Sequence, residues 1–193
     1  MLPTRVIIFH GAHCGPDTNW FPWLDAELSL TGFEVLRLRF PTPQGQSLAA
    51  WSETYDMAVA PLLPKRTILV GHSLGAAMAL RVVKRTKASF SGLFLAAGFI
   101  GALGLPDYDP INASFFATPF DWTKIRERIG VCRCWAADDD PYVPLARSEE
   151  LAADLRASPE VIRGGGHLND ETGFTTFPAL KAAILEVAGS RHE

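Results

Sequence analysis

A single serine stands between two glycines in the stretch "LVGHSLGAAMAL", residues 69 to 80. Ser73 lies where a β-branched and aliphatic run meets an alanine-rich run, and Gly71 and Gly75 lie two residues away on either side. A strand that turns at once into a helix needs minimal side chains at those two positions. The tip of such a turn has a strained backbone, which proteins tolerate chiefly at functional sites. The pattern predicts a nucleophile elbow, provided that the chain also supplies a base and an acid.

The base that would activate this serine must be one of five histidines. His72 adjoins Ser73, so its side chain is expected to point away from that of the serine, and His192 is expected to lie in a frayed tail. His167 stands in "RGGGHLND", where a glycine-rich loop leaves an imidazole free to reach over a site. We therefore predict His167 as the general base. The alternative is a solvated loop histidine without a role.

Three adjacent aspartates follow the apolar run "VCRCWAA", residues 131 to 137. In enzymes with a serine elbow, the acid that orients the histidine lies between the two in the chain, at the end of a strand. Asp140 precedes the proline of "DPYVP", which places it at the turn, and we predict it as the acid. Asp138 and Asp139 remain reserve candidates. Two of the three aspartates are expected to form only a polar turn facing water.

Acyl transfer also needs N–H donors for the developing oxyanion. The backbone N–H of Leu74, at the start of the predicted helix, would supply one donor. The loop "FHGAHCGPDTNWFPWL" should supply the second through the backbone N–H of Ala12. Cys14 in the same loop is an alternative nucleophile, but nothing near it indicates a strained turn.

The elements that must position these residues alternate along the chain. Short apolar runs without polar alternation, typical of strands buried on both faces, occur at residues 5–10, 34–40, 66–72, 91–98, 131–137 and, more weakly, 159–165. Segments with helical spacing or helix start signals occur at 20–32, 47–63, 73–85, 122–129, 144–156 and 177–189. This order predicts a compact α/β fold, with about six mostly parallel strands and helices on both faces.

One irregular stretch, residues 99–121, is rich in Gly, Pro and Asp and follows the strand after the elbow. Long connections of this kind are commonly functional, so it could form one wall of a pocket. A surface excursion without a role is the alternative.

Composition narrows the possible partners. The 193 residues fit a single domain spanning 1–193, with 48% hydrophobic and 20% charged residues. The net charge of -3 gives no electrostatic signature for nucleic acid or anionic membrane. Three cysteines do not make a disulfide framework, and the sequence starts without a signal-peptide pattern, so a cytoplasmic location is expected. Cys132 and Cys134 are expected in the core, and neither a metal nor a cofactor is called for.

Several blocks together resemble one family of enzymes: "VIIFHG", "NWFPWL", "LVGHSLGA", "PFDWTKIR", "DDDPYVP" and "GGGHLNDETGF". They look like the small serine hydrolases related to retinoblastoma-binding protein nine and the bacterial YdeN type, a compact branch of the α/β-hydrolase fold. The resemblance implies a sheet without a cap domain, a triad of Ser73, Asp140 and His167, and hydrolysis of a small ester or amide. Retinoblastoma binding is not implied, because the chain has no Leu-x-Cys-x-Glu peptide.

Two classes of function follow. In the first, the protein is a serine hydrolase, esterase-like, with amidase, peptidase and acyltransferase activities left open. In the second, it is a non-catalytic binding module on a hydrolase fold, with the aromatic stretch "FFATPFDW", residues 115–122, as a contact patch. The joint presence of elbow glycines, strand-end aspartate and loop histidine favours the enzyme.

Overall fold

The computed structural model describes residues 4–59 and 66–189 and contains one six-stranded sheet in which every neighbouring pair of strands is parallel. The order across the sheet is β2-β1-β3-β4-β5-β6. The strands are β1 (Arg5–Phe9), β2 (Glu34–Arg37), β3 (Thr67–His72), β4 (Phe90–Ala96), β5 (Ile129–Ala137) and β6 (Pro159–Ile162). The predicted mostly parallel α/β sheet is confirmed.

Helices cover both faces of the sheet. Within the described residues they are α1 (Phe21–Ser29), α2 (Leu48–Ala58), α3 (Leu74–Arg85), α4 (Asp109–Phe116), α5 (Trp122–Glu127), α6 (Leu145–Asp154) and α7 (Pro178–Gly189). Helices α1 and α7 pack on one face, and α2 to α6 pack on the other. Neighbouring residues of β1 alternate between the two cores, Ile7 facing one and Ile8 the other. This burial on both faces explains the apolar runs without polar alternation.

The irregular segment 99–121 contains a helix that composition did not predict. Asp109 and Pro110 begin α4, where a proline costs no backbone hydrogen bond. The Asp109 carboxylate accepts the backbone N–H groups of Leu103, Gly104 and Leu105, at 2.9, 2.8 and 3.1 Å. Asp109 and Pro110, whose residue types indicated irregular structure, therefore begin a helix, and Asp109 also stabilises the loop before it. Elsewhere the boundaries differ slightly: β5 begins at Ile129, α2 ends at Ala58, and residues 60–63 of that predicted helix lie outside the described residues.

The elbow glycines stand where backbones meet. A Cβ atom at Gly75 would lie 2.0 Å from the carbonyl oxygen of Phe9, and one at Gly71 would lie 2.7 Å from the Cα of Ala76. Both distances are far shorter than any normal contact, so strand β1, strand β3 and helix α3 approach this closely only with glycine at both positions.

Substitution at Gly75 should therefore damage the fold. We expect Gly75→Ala to lower the melting temperature by about 6–12 °C. Overpacking typically costs roughly 1–3 kcal/mol, and a clash with backbone places the cost at the upper end of this range. Gly75→Val should be worse. Gly189→Ala is the matched control, because no atom lies within 4 Å of a Cβ there. Thermal unfolding that shows equal stability for the two alanine variants would contradict the close approach.

Candidate active site

The predicted site residues lie at one edge of the sheet. Ser73 follows β3, Asp140 follows β5, His167 follows β6 and Ala12 follows β1. Because these strands are parallel, their carboxyl ends meet at the same edge, where open α/β sheets bind ligands. The topology thus brings together four segments that are distant in sequence.

Ser73 has the backbone of a strained turn. Its φ of 55° and ψ of -125° are unfavourable for a residue with a side chain. Its Oγ has no hydrogen-bond partner among residues 4–59 and 66–189, and the residue lines a cavity of about 170 Å³. A Cβ atom at Gly11 would lie 2.9 Å from the Ser73 Cβ and 3.3 Å from its Oγ. The loop after β1 therefore passes directly beside the hydroxyl.

Asp140 and His167 form a buried pair in the same place. The Asp140 Oδ2 lies 2.8 Å from the His167 Nδ1, and the two side chains are 2% and 9% exposed. The other carboxylate oxygen, Oδ1, accepts the backbone N–H groups of Tyr142 and Val143 at 2.8 and 2.9 Å. Both oxygens are thus held, and the imidazole of His167 presents its Nε2 as the nitrogen without a carboxylate partner.

Asp138 and Asp139 bind backbone N–H groups of the loop that carries His167, whereas Asp140 binds the His167 side chain. Asp138 Oδ1 accepts the backbone N–H of Gly164 at 3.0 Å, and Asp139 Oδ1 accepts that of Gly166 at 2.8 Å. The expectation that the two spare aspartates merely face water is therefore incomplete. They are exposed, but each one ties the strand-end turn to the glycine-rich loop that carries His167.

The loop around His167 is anchored on both sides. Gly166, at a φ of 53°, packs so close to Thr172 that a Cβ atom would lie 2.2 Å from the Thr172 Cγ2. On the other side Leu168 is fully buried, and its carbonyl accepts the Trp20 indole N–H at 3.0 Å. The residues on either side of His167 are therefore packed against Thr172 and Trp20.

His72 has a structural role that sequence analysis did not assign. Its ring is 2% exposed and lies 4.8 Å, centroid to centroid, from the ring of His167. The His72 Nε2 lies 2.8 Å from the His167 carbonyl oxygen, to which it donates as the neutral tautomer. Burial, and to a smaller extent the nearby His167, lower the pKa of His72 to about 3. Only a contact across 95 residues of chain shows this role, which explains why spacing did not reveal it.

A buried neutral histidine makes stability depend on pH. The folded-state pKa of His72 lies below the value of ~6.5 for an exposed histidine, so unfolding takes up a proton between about pH 6.5 and pH 3. The free energy of unfolding should therefore fall as pH is lowered through this window. In His72→Gln, which keeps an N–H donor, unfolding at pH 5 should take up about one proton fewer. Denaturant titrations at several pH values measure this uptake, and equal uptake in both proteins would contradict the assignment.

The two residues predicted to supply oxyanion donors, Ala12 and Leu74, line the same cavity as Ser73. Leu74 begins helix α3, and neither its N–H nor that of Ala12 is paired with an acceptor in the described part of the chain. His10 holds the strand that leads to Ala12: its Nδ1 lies 2.7 Å from the Gly11 carbonyl oxygen, and its Nε2 accepts the Phe40 N–H at 3.0 Å. Burial lowers the pKa of His10 to about 4, so the ring stays neutral in this arrangement.

Cys14 is unsuited to act as the nucleophile. Its thiol lies 3.4 Å from the Gly11 carbonyl oxygen, to which it donates, and burial raises its pKa to about 11. The reactive thiolate is therefore scarce near neutral pH.

The cavity beside Ser73 is walled by the 99–121 segment, as one of the two interpretations of that segment expected. Residues Phe99, Leu103, Leu105, Tyr108 and Asn112 of this segment line it. A larger open groove of about 750 Å³ lies elsewhere, along β5 and β6, and contains none of the predicted site residues. Cys132 and Cys134 line that groove; Cys134 is buried as expected, but Cys132 is only half-buried.

Two further observations concern ligands and membranes. Among residues 4–59 and 66–189, no three side chains of His, Cys, Asp or Glu are placed to hold a metal ion together. No helix in this described part has both the length and the apolar composition that crossing a bilayer requires.

Comparison with known proteins agrees with the fold. The model of the serine hydrolase family matches residues 6–186. The hydrolase YdeN of Bacillus subtilis is 32% identical over 181 residues, which cover 93% of each chain. The crystal structure of the ydeN gene product superposes with a TM-score of 0.88 at 29% identity, covering 96% of this chain and 99% of that one. Serine hydrolase RBBP9 of Rattus norvegicus is 25% identical over 185 residues, 94% of this chain and 96% of the relative.

These matches confirm the resemblance that the sequence blocks suggested. They extend over nearly the whole chain, from β1 to helix α7. The chain belongs to the serine hydrolase family, on the α/β-hydrolase fold.

Proposed function

We propose that this protein cleaves a small carboxylic ester or amide through an acyl-enzyme on Ser73, with His167 as general base and Asp140 as the orienting acid. One observation carries the proposal: His167, whose Nδ1 is paired with the buried Asp140 carboxylate at 2.8 Å, lines the same small cavity as Ser73, which has a strained backbone and an unpaired hydroxyl. A catalytic hydrogen bond between serine and histidine commonly tightens only when substrate binds.

The reaction would proceed in two halves. The Ser73 Oγ attacks the substrate carbonyl carbon while His167 Nε2 takes the hydroxyl proton, and the N–H groups of Ala12 and Leu74 stabilise the negative charge on the carbonyl oxygen. The C–O or C–N bond then breaks, and His167 returns the proton to the leaving group. Water, deprotonated by His167, attacks the acyl carbon. The bond from this carbon to the Ser73 Oγ then breaks, His167 returns the proton to the Oγ, and the carboxylic acid leaves.

The cavity favours a short acyl group. Its volume of about 170 Å³ is below that of typical drug-sized pockets, and Phe99, Leu103 and Leu105 give it an apolar wall. We therefore propose acetyl to butyryl esters as better substrates than long-chain esters.

The alternative, a binding module with residues 115–122 as its contact patch, gains no support from the packing of that stretch. Phe115 is fully buried. The Arg81 guanidinium lies 3.7 Å from the centre of the Phe120 ring and donates to the Phe115 carbonyl. These aromatic side chains therefore stabilise the attachment of the segment to helix α3.

A common acyl-enzyme is testable by product partitioning. We expect p-nitrophenyl acetate and phenyl acetate, hydrolysed in the presence of methanol, to give the same ratio of methyl acetate to acetate. Both esters would pass through the same acetyl-Ser73, which does not retain the leaving group. A ratio that changes with the leaving group would contradict the covalent mechanism, and the product ratio without enzyme is the control.

A further inference from the structure

The rim of the cavity carries an unbalanced negative charge. Asp170 and Glu171 line it, whereas no lysine or arginine does so among the described residues. Neither carboxylate forms an ion pair in this part of the chain. Such a rim repels anionic substrates and attracts cationic ones.

A buried acceptor without a donor adjoins these carboxylates. Asn169 lines the same cavity and is 8% exposed. Its Nδ2 donates to Glu171 Oε2 at 3.1 Å, but its Oδ1 is buried and has no hydrogen-bond partner in the described residues. An unpaired buried acceptor is costly, and a ligand that brings an N–H group would remove this cost.

Tyrosine rings complete the surroundings. The Tyr142 hydroxyl donates to Glu171 Oε2 at 3.2 Å, and its ring lies 5.0 Å from that of His167 and 5.7 Å from that of Tyr108. Aromatic faces attract ammonium groups.

The position of these groups identifies the part of the substrate that they would meet. Asp170 and Glu171 follow His167 by three and four residues, in a short 3-10 helix of the same connection between β6 and α7. In the proposed mechanism His167 gives its proton to the leaving group. The apolar wall formed by Leu103 and Leu105 comes from the separate 99–121 segment and suits the acyl group.

We propose that the site selects esters of amino alcohols, an inference that rests on the proposed function. The protonated amine belongs to the leaving group and binds against Asp170, Glu171 and Asn169. The carboxylates supply charge, and Asn169 Oδ1 accepts the ammonium N–H.

Three acetate esters separate charge from hydrogen bonding. At pH 7 and low salt, kcat/KM should be highest for 2-(dimethylamino)ethyl acetate, which is a cation with an N–H group. It should be lower for acetylcholine, a cation without an N–H group, and lowest for 3,3-dimethylbutyl acetate, the neutral isostere of acetylcholine. We expect kcat/KM for acetylcholine to be about fivefold higher than for the neutral ester, since two exposed charges contribute modestly. Adding 0.5 M salt should reduce this ratio. Rates without enzyme are subtracted.

The variants use the same ratios as the readout. Glu171→Gln combined with Asp170→Asn should bring the ratio of acetylcholine to the neutral ester close to one. Asn169→Leu should remove the preference for the N–H cation over acetylcholine. Asp56→Asn removes a charge that pairs with Arg85 outside the cavity lining and should leave both ratios unchanged.

Three results would overturn the subsite: a neutral ester hydrolysed as fast as the cations, ratios that persist in the double variant, or no hydrolysis of any of the three esters by a protein whose Ser73 still reacts with a fluorophosphonate. Failure of Ser73 itself to react would reject the proposed function and the subsite with it.

Discussion

Ser73→Ala should give a folded protein whose ester turnover is at least about 10⁴-fold below that of the wild type, because the only atom lost is the attacking oxygen. The change keeps the Cβ beside Gly11 and the backbone hydrogen bond from the Ser73 N–H to the Ala96 carbonyl at 2.9 Å. The melting temperature should therefore stay within about 2 °C of the wild-type value. Steady-state assays with p-nitrophenyl acetate and thermal unfolding measure the two quantities.

Ser29→Ala is the control for this prediction, since Ser29 is exposed at the end of α1 and should be replaceable without loss of activity. Substantial turnover by a pure, folded Ser73→Ala protein would mean that another group is the nucleophile.

Asp140→Asn is expected to lower kcat by roughly 10²-fold to 10⁴-fold. An asparagine can keep an oxygen toward the N–H groups of Tyr142 and Val143, which places its NH₂ group toward His167 Nδ1. The imidazole must then carry its proton on Nε2, the atom that should accept the proton of Ser73. The loss would therefore come from the wrong tautomer of His167.

Asp138→Asn and Asp139→Asn are the matched controls for the acid. Each asparagine keeps an oxygen that can accept the N–H of Gly164 or Gly166, so we expect less than a tenfold change in kcat. A larger loss of kcat in either control than in Asp140→Asn would show that Asp140 is not the orienting acid.

The parts of this fold that sequence analysis found are those set by local patterns. Unbroken apolar runs indicated the six strands, because a strand that helices cover on both faces carries apolar side chains at successive positions. The start of the predicted helical segment 47–63 also agrees with the structure, since the Ser47 side chain caps α2 by accepting the N–H of Ala50 at 3.1 Å. The elbow glycines were predictable because close backbone approach excludes any other residue.

The parts that sequence analysis missed depend on contacts between distant segments. Helix α4 was hidden because Gly, Pro and Asp indicate irregular structure, and only the Asp109 carboxylate bonded to three N–H groups shows how they start a helix. His72 gave no signal, since its partner carbonyl is 95 residues away. The unpaired oxygen of Asn169 is also visible only once burial is known. The sequence pattern thus predicted which side chains lie together at the sheet edge, but not the contacts between distant segments that position them.

Covalent labelling with a fluorophosphonate, followed by intact-mass spectrometry, tests the proposed nucleophile most directly. The reagent needs an activated serine, so at pH 8 we expect one adduct on the wild type and none on Ser73→Ala or His167→Ala under the same exposure. Folded wild-type protein that stays unlabelled, or a Ser73→Ala protein that gains the same adduct, would contradict catalysis by Ser73 and His167.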